Sequence, residues 1–174
     1  MQKNIIKLFI ISLIIFVIGV FFIGLNKSSI YDTKDLVGQK ITNIQLDHFS
    51  ENRIITGEDL KKNDFTLINF WASWCAPCRD EHSMLLKLNN DEKNLKILGV
   101  NFKDKKDNAS DFLKNLGNPY DNLARDDFGK NSINFGIYGI PESILVNKNF
   151  VIIKKFIGPI SKNDYEYIKS IVRK

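Results

Sequence analysis

Cys75 and Cys78 are the only thiols in the chain, and they stand two residues apart as Cys-Ala-Pro-Cys. The stretch before them, Phe65 to Trp71, is apolar, β-branched and aromatic, which predicts a buried strand. The stretch after them, Arg79 to Leu88, carries Met84, Leu85 and Leu88 at helical spacing, which predicts a helix from about residue 76 to 90. A dithiol set between a strand and a helix start has a specific chemistry. The unpaired N–H groups and the dipole of the helix favour a thiolate at the first cysteine. They bring such a thiol from about 8.5 into a range of roughly 3.5–7.5. The second cysteine, one turn on, can attack a mixed disulfide formed by the first, as thiol–disulfide exchange requires.

Two other uses of a Cys-x-x-Cys pair are open at this point. A structural zinc site needs four ligands, usually two cysteine pairs or Cys₂His₂; this chain has no other cysteine, His82 lies one helical turn after Cys78 and His48 is far off in sequence, so no metal and no cofactor is expected. A purely structural disulfide closing so short a loop gains little loop entropy.

These residues must be held by a domain, and the composition bounds it. The chain has 174 residues, enough for one domain. Leu8 to Leu25 is apolar apart from Ser12 and two glycines, with Lys3 and Lys7 ahead of it. Eighteen residues at about 1.5 Å each approach the thickness of a hydrocarbon core. The expected division is a transmembrane anchor over 1–25, a polar tether over 26–35 and a folded domain over 36–174. A cleaved signal peptide is the alternative, but the run exceeds the usual apolar region and lacks a small-residue cleavage site. The basic N-terminal flank favours the domain outside the membrane. Beyond residue 25 there are 23 basic and 20 acidic residues, interspersed as in Lys103-Asp104-Lys105-Lys106-Asp107. That run reads as a solvated loop, and the absence of a basic stripe with stacking aromatics argues against nucleic acid.

The remaining pattern predicts two short strands within Ile41–Ile55, a turn at Gly57, a helical turn at Glu58–Lys62 and a buried strand over Leu95–Phe102. A helix over Asn108–Leu116 is closed by Gly117, and a short helix follows over Asp126–Ile133. Strands at Ser143–Val146 and Phe150–Phe156 are joined by Asn147-Lys148-Asn149, and a last helix covers Asp164–Val172. The fold class expected is α/β, a mixed sheet with helices on both faces and the dithiol at the carboxyl end of its first central strand.

Phe70-Trp71-Ala72-Ser73-Trp74-Cys75-Ala76-Pro77-Cys78 resembles the thioredoxin-fold active-site signature, and Tyr138-Gly139-Ile140-Pro141-Glu142 resembles its second signature. Cys78-Arg79-Asp80-Glu81-His82, Gly117-Asn118-Pro119-Tyr120 and Gly136 to Ser143 resemble motifs of the membrane-anchored cytochrome c maturation reductases, the CcmG/DsbE family. Ile137 and Ser143 replace that pattern's Val and Thr. The resemblance spans roughly residues 36 to 170. It implies a thioredoxin-like fold and a thiol reductase anchored in the bacterial inner membrane, its domain in the periplasm. The implied partners are apocytochrome c or cytochrome c assembly factors, a DsbD-type transmembrane electron donor and the lipid bilayer.

The resemblance also assigns roles. Cys75 is the attacking and Cys78 the resolving thiol. Pro141 is a cis-proline facing them, beside a substrate groove of Trp74, Tyr138 and Ile140. Glu81 and Glu142 form an acidic surround for the dithiol, in which Glu142→Gln would lower the Cys75 pKa. The plainer readings are a trans-proline opening a strand, a first-turn glutamate at 81 and an exposed strand-start glutamate at 142. Trp71 reads as core, Arg79 as solvent-facing, His82 as a surface or partly packed residue, and Tyr120 and Tyr138 as groove or core edge. A general membrane-anchored reductase serving other clients, an oxidase, and a metal-delivery module are the competing functions.

Overall fold

A computed structural model describes residues 2–26 and 36–173. They belong to two compact units that divide between Asp32 and Thr33. The first holds helix α1 (Gln2–Asn26). Its 21-residue Asn4–Gly24 segment reaches a mean hydropathy of 3.0 over 18 residues, long and apolar enough to cross a membrane. The tether expected over 26–35 lies, from residue 27 on, outside the described residues.

The second unit runs β1 (Gln45–His48), β2 (Ile54–Thr56), α2 (Gly57–Leu60), β3 (Phe65–Trp71), α3 (Ala76–Asp91), β4 (Leu95–Phe102) and α4 (Lys106–Leu116), then β5 (Asn122–Asp126), α5 (Lys130–Asn134), β6 (Glu142–Asn147), β7 (Ile152–Ile157) and α6 (Lys162–Val172). The seven strands form one sheet in the order β2-β1-β5-β4-β3-β6-β7. β3, β4 and β5 are parallel, while β6 runs antiparallel to β3, and β7 to β6. The α/β expectation therefore holds, with one addition. The short helix expected over Asp126–Ile133 is instead the end of β5, a turn and α5. The Asp126 carboxylate explains the break: it accepts the Ser132 N–H and Oγ–H, both at 2.7 Å, while Gly129 turns the chain at φ 74°.

Alternation along the strands sorts side chains onto two faces. Leu67, Ile97 and Leu145 pack under α3, α4 and α6 against Leu85, Phe112 and Ile168. Ile68, Phe70, Val100 and Ile144 pack on the other face with Leu60 and Phe135. One polar row interrupts the first face. Asn69 in β3 stands between Gly99 in β4 and Ser143 in β6. The sheet's borders are the three-residue β2 and the outer edge of β7, whose start pairs with residues 38–41.

Candidate active site

Parallel β3, β4 and β5 end at the same edge of the sheet, and β6, antiparallel to β3, begins there. The loops after Trp71, Phe102 and Asp126 and the turn before Glu142 consequently meet at one end of the fold. Cys75 and Cys78 lie in the first loop, disulfide-bonded with Cα atoms 5.3 Å apart. Cys75 has extended backbone at the N-cap of α3, and its Sγ accepts the Cys78 N–H at 3.1 Å. Pro77 in the first turn carries no N–H, so one fewer backbone donor is left unpaired at that end of the helix. A sulfur anion released at residue 75 would meet the Cys78 N–H already aimed at it and the positive end of the helix dipole. Both cysteines are buried in this oxidised state, at 4% and 2% exposure.

One turn along α3 from Cys78 stands a carboxyl group. Glu81, on the first-face side of α3, is fully buried. Its Oε1 accepts from Asn69 Nδ2 and its Oε2 from the Ile160 N–H, each at 2.8 Å. Asn69 Nδ2 also donates to Ser143 Oγ at 3.0 Å, and its Oδ1 accepts the Tyr120 hydroxyl at 2.9 Å. Burial pushes the Glu81 carboxyl up to about 7, against the two hydrogen bonds that favour its anion. Burial, helped by the Glu81 charge, also pushes the Tyr120 phenol well above its usual value. Tyr120 sits directly over the backbone of Gly99, where a Cβ would lie 2.6 Å from its ring. Tyr120 fits the core-edge reading: it is packed in the core cluster, and its hydroxyl donates inward to Asn69.

Glu142 is likewise not an exposed strand-start residue. It is buried, its Oε1 accepts the Gly139 N–H at 3.1 Å and the Tyr138 N–H at 3.3 Å, and its Oε2 pairs with Lys155 Nζ at 2.6 Å. The structure does not bring Glu81 and Glu142 together. Ser143 points to the Asn69 face, so Glu142 points to the opposite one, where its cross-strand partner Phe70 packs. The Ile140–Pro141 peptide is cis. Ile140 is partly buried, while Tyr138 and Trp74 are 77% and 59% exposed.

Asp104, read from the sequence as part of a solvated charge run, ties down the dithiol loop. Its Oδ2 accepts the Ser73 N–H at 2.6 Å and Asn101 Nδ2 at 3.0 Å, and its Oδ1 accepts Ser73 Oγ–H and the Lys105 N–H at 2.8 Å. Trp74 Nε1 donates to the Lys103 carbonyl at 3.1 Å. Trp71 is core, with Tyr120 stacked at 5.4 Å and Phe112 at 5.2 Å. His82 is buried, not surface: its Nε2 donates to the Gly117 carbonyl at 2.9 Å, and its ring stands edge-on to Phe112. Burial lowers its pKa, opposed by that bond. Arg79 is exposed, as expected, but its guanidinium lies 4.8 Å from the Phe112 ring centre.

The sequence assigns no site role to Asn69, Ser143, Asp104 or Lys155. Asn69 left a signal, a polar residue inside an otherwise apolar strand, and Lys155 left a similar one in β7. Asp104 left none among its charged neighbours.

The Redoxin family model matches residues 36–169. The chain is 50% identical to the thiol:disulfide interchange protein CycY of Rhizobium leguminosarum over 56% of this chain, and spans about half (52%) of that protein. It is 32% identical to the thiol:disulfide interchange protein DsbE of Vibrio cholerae, covering 92% of this chain and 90% of that one. Among solved structures, a DsbE-type thiol:disulfide interchange protein from Chlorobium tepidum is similar at a TM-score of 0.61 and 25% identity, over 77% of this chain and 93% of the other.

Proposed function

Since this chain belongs to the Redoxin family as a thiol:disulfide interchange protein of the DsbE type, we propose that it is the membrane-anchored reductant that delivers electrons to Cys-x-x-Cys-His disulfides during cytochrome c assembly. The observation that carries the reading is the placement of Cys75 at the head of α3 with the Cys78 N–H on its sulfur. In the reduced protein the Cys75 thiolate attacks one sulfur of the client disulfide. The client's S–S bond breaks, one client sulfur leaves as a thiolate, and a mixed disulfide remains on Cys75. The Cys78 thiolate then attacks Cys75 Sγ and releases the second client sulfur. The client gains two electrons and two protons, and the protein ends as the Cys75–Cys78 disulfide.

Glu81 is suited to take the Cys78 proton, since a carboxyl with a pKa near 7 exchanges protons freely at neutral pH. Trp74, Tyr138 and Ile140 offer the client polypeptide an apolar margin beside the dithiol, and Pro141 and Glu142 shape the turn that carries two of them. A donor of the DsbD type returns the two electrons. The apolar helix at Asn4–Gly24 supports anchoring in the inner membrane with the domain in the periplasm.

The test uses full-length reduced protein in detergent with a synthetic peptide carrying an oxidised Cys-x-x-Cys-His. Wild type should yield dithiol peptide and oxidised protein, Cys75→Ser should yield neither, and Cys78→Ser should stall with peptide bound covalently to Cys75. Peptide reduction by Cys75→Ser at the wild-type rate would refute the proposal.

A further inference from the structure

Lys155 does something unusual for a lysine: its side chain is wholly buried. In β7 it stands across from Ile144, on the face away from α3, diagonal to Glu142 two residues along β6. Its ammonium meets partners of different kinds. One is the Glu142 carboxylate at 2.6 Å; another is the Gly136 carbonyl at 2.5 Å. Glu142 in turn holds the N–H groups of Tyr138 and Gly139 with its other oxygen. Lys155 thus reaches both ends of the 136–141 turn, one directly and one through Glu142. A buried ammonium needs such partners, because taking a charge out of water is costly unless each donor is met.

The face on which this happens matters. The disulfide and Glu81 belong to the α3 side of the sheet, and Glu142 and Lys155 to the other. The turn itself lies at the sheet end where the dithiol loop emerges, and it presents Tyr138 outward. We infer that Lys155 is a positioning residue for substrate polypeptides, fixing the 136–141 turn from behind through Gly136 and Glu142 so that Tyr138 and Ile140 meet the chain being reduced. On this inference Glu142 acts through the shape of the turn, its charge matched by Lys155, and not as an acid bordering the thiols. A small disulfide that touches only sulfur has no use for the turn, whereas a polypeptide does. The inference rests on the reductase reading above.

The experiment separates those two classes of substrate in full-length protein in detergent. The probes are the oxidised Cys-x-x-Cys-His peptide and the small aromatic disulfide dithionitrobenzoate. Lys155→Met should slow the peptide reaction about tenfold relative to the small disulfide, the scale expected when a reacting group is held slightly out of place. Lys155→Arg, which keeps a buried cation, should recover part of that loss. Lys155→Met with Glu142→Gln leaves no unpaired buried charge, so it should regain thermal stability without regaining the peptide rate. Hydrogen exchange at the Tyr138 and Gly139 amides, which needs no substrate, should accelerate in Lys155→Met while the Cys78 amide stays as in wild type. Equal losses for both probes, no loss for either, or unchanged exchange at Gly139 would each overturn the inference. Failure of wild type to reduce the peptide would sink the function and leave the exchange measurement to decide the brace.

Discussion

Glu81→Gln should make the oxidised protein more stable, and only above mildly acidic pH. Glu81 is 1% exposed, and its oxygens are met by an amide side chain and a backbone N–H, both neutral. Its folded pKa of about 7 stands above the ordinary 4.5. The proton is therefore held more tightly in the folded state than in the unfolded one. Below pH 4.5 both states are protonated and there is no penalty. As pH rises toward 7 the unfolded chain releases its proton first and stability falls. Above 7 the loss is complete and constant. A difference of this size corresponds to about 3 kcal/mol.

Glutamine carries no charge to bury, and the surroundings can accept it. If Asn69 turns its amide over, its Oδ1 can accept from the introduced amide Nε2 and from the Ser143 hydroxyl, while its Nδ2 can donate to the Tyr120 oxygen. The introduced amide oxygen can keep the Ile160 N–H. Guanidinium denaturation of the oxidised full-length protein in detergent, followed by the fluorescence of buried Trp71, reads the effect. With the cysteines joined, no thiol titrates, and His82 is common to both proteins. The gain of Glu81→Gln over wild type should be near zero at about pH 4 and about 3 kcal/mol at about pH 8. A gain independent of pH, or a loss at the alkaline end, would refute the reasoning.

Asp104 and Gly99 each carry a further expected outcome. Asp104→Ala removes the acceptor for the Ser73 amide and hydroxyl, Asn101 and Lys105; it should cost about 1–3 kcal/mol in thermal unfolding, and a change within about 0.5 kcal/mol would show the brace to be idle. Gly99→Ala puts a Cβ 2.6 Å from the Tyr120 ring and should cost about 1–3 kcal/mol through overpacking. The same change in a Tyr120→Leu background should cost far less, and equal costs in both backgrounds would remove Tyr120 as the cause.

The central elements were legible because each is self-sufficient in pattern. Phe65–Trp71 and Leu95–Phe102 are mainly apolar, interrupted only at Thr66 and Asn69 in one and Lys96, Gly99 and Asn101 in the other, and the expected strands have these same limits. The face Ala109, Phe112, Leu113 was equally plain, and Gly117 does close α4, at φ 89°. β5 was not legible: Asn-Leu-Ala-Arg-Asp has no strand signature, and it is extended because β4 and β1 pair with it on either side. The same limit hid the site's supports. The Cys-x-x-Cys pair declares itself within four residues, whereas Asn69 meets Glu81, Tyr120 and Ser143 only after two strands, a helix and the loop before β5 have assembled. Glu81 and Glu142 look alike in sequence, and only the strand register assigns them to opposite faces of the sheet.

The borders of that sheet bear on how copies behave when crowded together. An open strand rim with a row of unused peptide groups is a template for another chain, and short rims or rims carrying lysine blunt it. Here one rim is three residues long, and the other is partly occupied by residues 38–41 and bears Lys154. The molecule should resist rim-to-rim stacking at high local density. Growth of thioflavin-positive fibrils from the native oxidised protein at neutral pH would contradict that.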